Sequence, residues 1–270
     1  VQRRTSGLSD KVRKRIEITI LSLPALIMFL GFVILPVFMA GYYGFFKWKG
    51  YGKPTVNGQF IGFENYKVIL TDPNFQQALG HTLFVVVASL VIQGPLAILF
   101  ALLLNQKFKG RALIRTLIFV PYVVSEVIVG TGWSLILQTT GALNALLKKI
   151  GLGGADWISD PKIAIWTLMF IISWKYIGFA VILMIAGMQS IPEDLYEAAK
   201  VDGAGFWRQQ WSITLPLLGP TIRIWAFMSI IGSLQLFDLV YIIWGQYVSS
   251  TAGTSTMATY MVREGRLANN

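Results

Sequence analysis

The chain has 270 residues, 54% of them hydrophobic and 13% charged, with a mean hydropathy of +0.60; a soluble domain carries about a quarter charged residues, so water is not its main solvent. A net charge of +10 with no basic stripe on a soluble scaffold to carry it argues against nucleic acid as a partner. The absence of cysteine excludes disulfides, thiolate metal sites and thiol nucleophiles.

Residues 1–15 form a basic tail with Arg3, Arg4, Lys11, Arg13, Lys14 and Arg15, and residues 16–270 are read as one transmembrane domain. Valine at position 1 suggests numbering that begins inside a longer gene product. The first span, Ile18 to Phe46, contains no Asp, Glu, Lys or Arg and exceeds the roughly 20 residues that cross a bilayer. It is too long for a signal-peptide core and is read as retained. Lys47 to Ala78 reads as an ordered extracytoplasmic loop with a short helix near Phe63 to Leu70. The second span is Leu79 to Leu104, where His81 is the only ionisable group and is read as interfacial. Lys107, Lys109, Arg111 and Arg115 follow. By the positive-inside rule this cluster and the N-terminal one both face the cytoplasm, which an even number of intervening spans permits.

The third span is Ala112 to Gln138. Thr139 to Lys162 returns outside the membrane with an interfacial helix over Leu143 to Ile150. The fourth span is Ile163 to Met188 and the fifth Leu217 to Trp244. All are helices, because lipid offers no partner to backbone N–H and C=O groups and the runs are too continuous for a membrane barrel. Pro24, Pro36, Pro95 and Pro121 are tolerated inside such a bundle. The tail Gln246 to Asn270 is polar. Either five spans put the C-terminus outside, or a sixth follows residue 270. The fold class is an all-α, polytopic helical bundle.

The loop over 189–216 carries the most specific signal. Ser190 and Glu193 fit an S-x-x-E capping box, Pro192 suits the first turn, and Glu193 and Asp194 sit at the positive end of the helix dipole. Gly203 is a natural terminator. Ala198 and Ala199 give this helix a patch that another surface can approach closely. Phe206 to Trp211 is a second amphipathic piece, whose Trp207, Arg208 and Trp211 fit the membrane interface.

The string Glu197-Ala198-Ala199, then Asp202-Gly203-Ala204, then Ile213-Thr214-Leu215-Pro216 resembles the EAA motif of ABC importer permeases, in the form typical of the sugar and glycerol-phosphate branch that includes the maltose permeases. Phe119-Val120-Pro121, Trp157 with Asp160-Pro161, and Ala186 to Pro192 agree with it. The competing reading is a capped amphipathic connector with no partner. The resemblance implies a type I importer permease in a bacterial or archaeal cytoplasmic membrane, with a cytoplasmic N-terminus. Implied partners are a second homologous permease, two ATPase subunits docking on the 190–212 loop, an extracytoplasmic solute-binding protein, membrane lipid and a carbohydrate substrate. Coupling to the ATPase falls on Glu197, Ala198, Ala199, Asp202, Gly203, Ala204, Ile213, Leu215 and Pro216. Two departures stand out. Trp244-Gly245-Gln246-Tyr247 replaces the family's T-x-GGP turn, and the sixth helix, due shortly after Met261 to Gly265, is absent, so truncation is expected.

No P-loop string occurs, so ATP and Mg are expected on the partner ATPases, with no cofactor, metal or catalytic residue in this chain. For the substrate path, the resemblance implies Ser229, Ser233 and Leu236, which share one helix face, with Lys175 and Tyr176. Polarity at membrane depth adds Glu126, Gln235 and Asp238. Ser229 and Ser233 could instead serve helix packing, Glu126 and Lys175 could pair with each other, and Asp238 could be hydrated. A glycerol-3-phosphate or polyol permease is the nearest alternative and needs a more basic cavity. An ion-coupled secondary transporter needs an inverted repeat that is not visible. A membrane enzyme lacks any catalytic constellation.

Overall fold

The computed structural model of the chain describes residues 10–48, 50, 52–106 and 108–267; Arg3, Arg4 and Lys107 of the basic clusters lie outside the described residues. The polypeptide divides into two compact units, residues 1–71 and 72–270.

The first unit is a long helix followed by a small aromatic lobe. Lys11–Tyr43 is helical throughout, 33 residues, in two α-helices, α1 (Asp10–Phe29) and α2 (Leu35–Tyr43), joined by one wide π-turn (Leu30–Ile34). The wide turn ends two residues before Pro36, which lacks the N–H that a regular turn would use. The lobe pairs two short antiparallel strands, β1 (Phe46–Lys47) and β2 (Gln59–Phe60), with α3 (Pro54–Asn57) between them and α4 (Glu64–Thr71) after them. Asn65 of α4 donates to the carbonyls of Gly44 (2.9 Å) and Phe46 (3.0 Å), and the Tyr66 hydroxyl donates to the Gly41 carbonyl. Gly44 is glycine because a Cβ there would run into the Tyr66 ring.

The second unit is a helical bundle. Its first long helix, Pro73–Leu104, contains α5 (Pro73–Ala88), a π-turn (Ser89–Gln93) and α6 (Gly94–Leu104). It starts earlier than the hydrophobic run because Asp72 caps it, accepting from Asn74 N at 3.0 Å. The expected third span is not one helix. It is α7 (Arg111–Val123) and α8 (Glu126–Ile136), bent by 97°. Pro121 weakens the last turn of α7, and Ser125 opens α8 as an N-cap, its Oγ accepting from Ile128 N at 3.4 Å.

The short helix α9 (Ala142–Lys149) follows, held by Asn144. This buried amide donates to the carbonyls of Gln138, Thr139 and Ala155 and accepts from Ala155 N and the Trp157 indole. The central helix α10 (Ala164–Gln189) is buried along much of its length. It packs so closely on α7 that a Cβ on Gly178 would strike the Ile118 carbonyl.

The loop helices α11 (Glu193–Val201) and α12 (Phe206–Gln209), a π-turn (Gln210–Thr214) and α13 (Leu215–Leu217) come next. The expected fifth span is likewise interrupted: α14 (Gly219–Leu234) stops, Gln235 to Phe237 leave helical structure, and α15 (Asp238–Thr251) resumes, with a kink at Gly245 (φ +66°). Residues 252–265 of the polar tail are packed against the bundle. Residues 252–256 are buried, and α16 (Met257–Leu267) lies against α5. Met257 N donates to Thr82 Oγ1 (3.0 Å), His81 Nδ1 donates to the Ser255 carbonyl (3.1 Å), and Tyr260 Oη donates to Asp72 Oδ2 (2.5 Å). His81, expected at the interface, is thus a tie for the tail. The Tyr260 hydroxyl holds the Asp72 carboxyl below its usual range, and burial with that hydrogen bond pushes Tyr260 up to about 12.

Two apolar cores organise this unit. One gathers α5, α8, α10 and α15 around Leu168, Ile171, Leu239 and Val240. The other gathers α6, α10 and α14 around Ala97, Ala101, Met184 and Trp225. Among the described residues, four helices are long and apolar enough to cross a membrane, and five if the bent pair is one span.

Candidate functional site

Two regions of the second unit carry the sequence candidates. The first is a cavity of about 370 Å³ walled by α5, the Ser89–Gln93 turn, the α7–α8 bend, α10 and α14. Glu126, Tyr176, Ser229, Ser233, Gln235, Leu236 and Asp238 all line it. These residues come from three separate stretches of chain, and the interruption after α14 is what turns Gln235, Leu236 and Asp238 toward the same space as Ser229 and Ser233. The Tyr176 hydroxyl donates to Glu126 Oε1, joining α10 to the start of α8. Glu126 also sits in the first turn of α8, where a carboxylate is favoured by the helix dipole.

Lys175 does not belong to the cavity lining. It is 3% exposed, and its ammonium donates to the Val124 carbonyl at 2.7 Å. No Lys175–Glu126 ion pair forms, because the α7–α8 bend leaves a helix-end carbonyl that a cation satisfies at closer range. The cavity therefore contains the carboxylates of Glu126 and Asp238 and, among the described residues, is lined by no Lys, Arg or His.

The cavity also has walls that sequence reasoning missed. Ser89 and Gln93 are buried polar residues on the π-turn, while Tyr122, Phe179, Trp225 and Phe237 supply aromatic surface. Tyr122 and Phe179 stack at 5.1 Å with planes 21° apart. Gln93 was detectable as the lone amide inside the apolar core of the second span, two residues before Pro95.

The second region is the 190–216 loop. The capping box does not form: Pro192, with ψ 134°, is the N-cap and makes no side-chain bond, while Ser190 Oγ donates back to the Gly187 carbonyl at 2.7 Å. The helix begins only after Pro192, so Ser190 lies too early to cap it. The C-terminal reading holds. Gly203 has φ +77°, Gly203 N donates to Lys200 O (3.0 Å) and Ala204 N to Ala199 O (2.8 Å), the two bonds of a Schellman motif.

Polar contacts brace the helical pieces of this loop against one another. Tyr196 Oη lies 2.9 Å from Thr214 Oγ1, which donates to Gln210 Oε1 at 2.8 Å, and Gln209 Nε2 donates to the Ala204 carbonyl at 2.7 Å. Glu197, Ala198, Asp202, Gly203 and Pro216 remain exposed, and Ala199, Ala204, Ile213 and Leu215 are half-buried. Val201 is 88% and Trp211 69% exposed. A separate groove is lined by Arg115 of α7 and Gln189 of α10, so the start of α7 and the end of α10 lie at one end of the bundle. Arg115 also donates to the Leu104 carbonyl at 2.6 Å. The basic cluster and the loop helix are thus at the same end.

The family of binding-protein-dependent transport system inner membrane components matches residues 93–265. The chain belongs to this family. The trehalose/maltose transport system permease protein MalF of Thermococcus litoralis is 33% identical over 227 residues, 83% of this chain and 75% of the relative. The probable starch degradation products transport system permease protein AmyD of Thermoanaerobacterium thermosulfurigenes is 31% identical over 240 residues, 88% and 78% of the two chains. A bacterial alginate ABC transporter, solved in complex with an alginate pentasaccharide-bound periplasmic protein, superposes with a TM-score of 0.78 at 26% identity, covering 96% of this chain and 87% of its own. The permease fold is that of a type I importer, and the family consists of non-catalytic, membrane-spanning components.

Proposed function

We propose that this permease is the transmembrane subunit of an ATP-driven importer that passes a neutral carbohydrate, delivered by an extracytoplasmic binding protein, through the cavity between α5, α8, α10 and α14. The observation that carries this reading is the cavity lining: hydroxyl, amide and aromatic groups with two carboxylates and, among the described residues, no cation. Sites for phosphate or carboxylate ligands are built from Arg, Lys or helix N-termini. No Arg or Lys lines the cavity among the described residues, and the helix N-termini that reach it already carry the carboxylates Glu126 and Asp238, which argues against a glycerol-phosphate substrate; the names of MalF and AmyD point to neutral saccharides.

In this reading the exposed face of α11, with Glu197 and Ala198, docks on an ATPase subunit, which binds ATP and Mg. A second permease completes the pathway. Both basic clusters, and the loop helix beside the second of them, face the cytoplasm. This requires the bent α7–α8 pair to count as one crossing.

The test is ATP-driven uptake by the complete transporter in proteoliposomes. Maltose, trehalose and an arabino-oligosaccharide are compared with glycerol-3-phosphate and an alginate trisaccharide. Uptake of at least one neutral sugar and of neither anion is expected. Uptake of an anion at a comparable rate, or of no neutral sugar, overturns the proposal.

A further inference from the structure

Gln93 is 3% exposed and Ser89 1%, neither side chain has a hydrogen-bond partner among the described residues, and both line the cavity, so that their polar atoms are not sealed in the protein. A buried carboxamide normally satisfies its two donors and its acceptor within the protein or with water, because leaving them unmade is costly. Asn144 of the same chain, with five such bonds, shows the usual outcome. Gln93 is also held firmly. A Cβ on Gly94 would come within 2.7 Å of the Trp225 ring, so the backbone beside Gln93 is seated directly on that indole. The π-turn places Ser89 and Gln93, four residues apart, on the cavity wall, and such turns recur at functional sites.

Packing alone would be served by leucine at 93. A carboxamide at membrane depth that is rigidly backed and aimed into a cavity suits a ligand with adjacent donors and acceptors, which vicinal sugar hydroxyls are. We propose that Gln93 and Ser89 form a hydroxyl-binding pair of the translocation cavity that contacts a neutral carbohydrate in transit. The inference rests on the carbohydrate reading above for the identity of the ligand, but not for the location of the pair.

Two measurements on the complete transporter separate those questions. The chain has no cysteine, so Gln93→Cys, or the near-isosteric Ser89→Cys should the first not assemble, can be probed with ethylammonium methanethiosulfonate and read by intact mass of this subunit. Modification of either, with Ala97→Cys in the packed core unmodified, is expected. Cysteines at both 89 and 93 that stay unreactive with and without ATP would overturn the proposal, whatever the substrate. In the second measurement, uptake is followed for a neutral sugar that the wild type moves. Gln93→Leu is expected to raise KM about tenfold, the loss of one or two hydrogen bonds to ligand. An unchanged KM and rate would overturn the hydroxyl-binding role. A wild type that moves no neutral sugar refutes the carbohydrate reading and, with it, the ligand assigned to the pair, while the labelling result still decides the location.

Discussion

Lys175 illustrates how a long cationic side chain is accommodated deep in a bundle outside the cavity lining. Its ammonium meets the Val124 carbonyl at the point where α7 ends, so the charge sits at the negative end of a helix dipole and satisfies an acceptor that the bend has exposed. Lys175→Met removes the desolvation cost of the ammonium but leaves that carbonyl unpaired, and an orphaned buried acceptor costs about 1–3 kcal/mol. A lower melting temperature of the purified complex in detergent is expected, with Lys175→Gln, which keeps a donor, closer to wild type. Equal melting of Lys175→Met and wild type would show that the bend does not depend on this bond. Polarity in an apolar run revealed that Glu126, Gln235 and Asp238 needed an environment, and all three share the cavity. The same signal could not say which partner Lys175 would find, because the nearest acceptor was created by a helix break 51 residues away in sequence. Ser89 and Gln93 escaped notice because a serine and an amide do little to the hydropathy of a long apolar segment.

At the scale of elements, α11 is the part that sequence described best at one end and worst at the other. Gly203 marks its end because only glycine takes φ +77° without strain, and the i-offsets of a Schellman turn are fixed by local geometry. The start depended on whether Pro192 would lie inside the helix or cap it, which local pattern does not decide. The broken third span failed for a related reason: a proline in a membrane helix is compatible with a kink or a full break, and here a tertiary partner, Lys175, takes the carbonyl at the end of α7 while a local cap, Ser125, starts α8. The exposed face of α11 makes a sharp prediction. Glu197 is exposed and outside both cores, so Glu197→Lys should change folding stability by no more than about 0.5 kcal/mol. If Glu197 pairs with a basic group on the ATPase, reversing its charge should cost about 2–5 kcal/mol at that contact, and sugar-stimulated ATPase activity and uptake should fall together at least about tenfold. Full uptake by an assembled Glu197→Lys transporter would remove this residue from the coupling surface.

For the whole molecule, the decisive question is on which side of the membrane each end of the bundle lies. Arg115 and Gln189 line one groove, so the internal geometry ties the basic cluster to the 190–216 loop without reference to any charge rule. The rule then assigns that shared end to the cytoplasm, in agreement with Lys11, Arg13, Lys14 and Arg15 before the first span. Lys148 and Lys149 in the last turn of α9 weigh against it, but they also sit where a helix dipole favours cations, so their charge has a local explanation. The cysteine-free sequence makes the outcome measurable: Asp202→Cys and Lys149→Cys, both at exposed positions, are labelled with an impermeant maleimide in right-side-out vesicles. Labelling at 149 is expected before lysis, and at 202 only after it. The reverse pattern would put α11 on the face away from any cytosolic ATPase, as follows if the 97° bend between α7 and α8 is a re-entrant loop rather than a crossing, and labelling of both sites before lysis would mean that α10 does not cross. Either result would detach the exposed glutamate helix from ATP-driven transport, because mechanical work done in the cytosol would have no surface on this subunit to act upon.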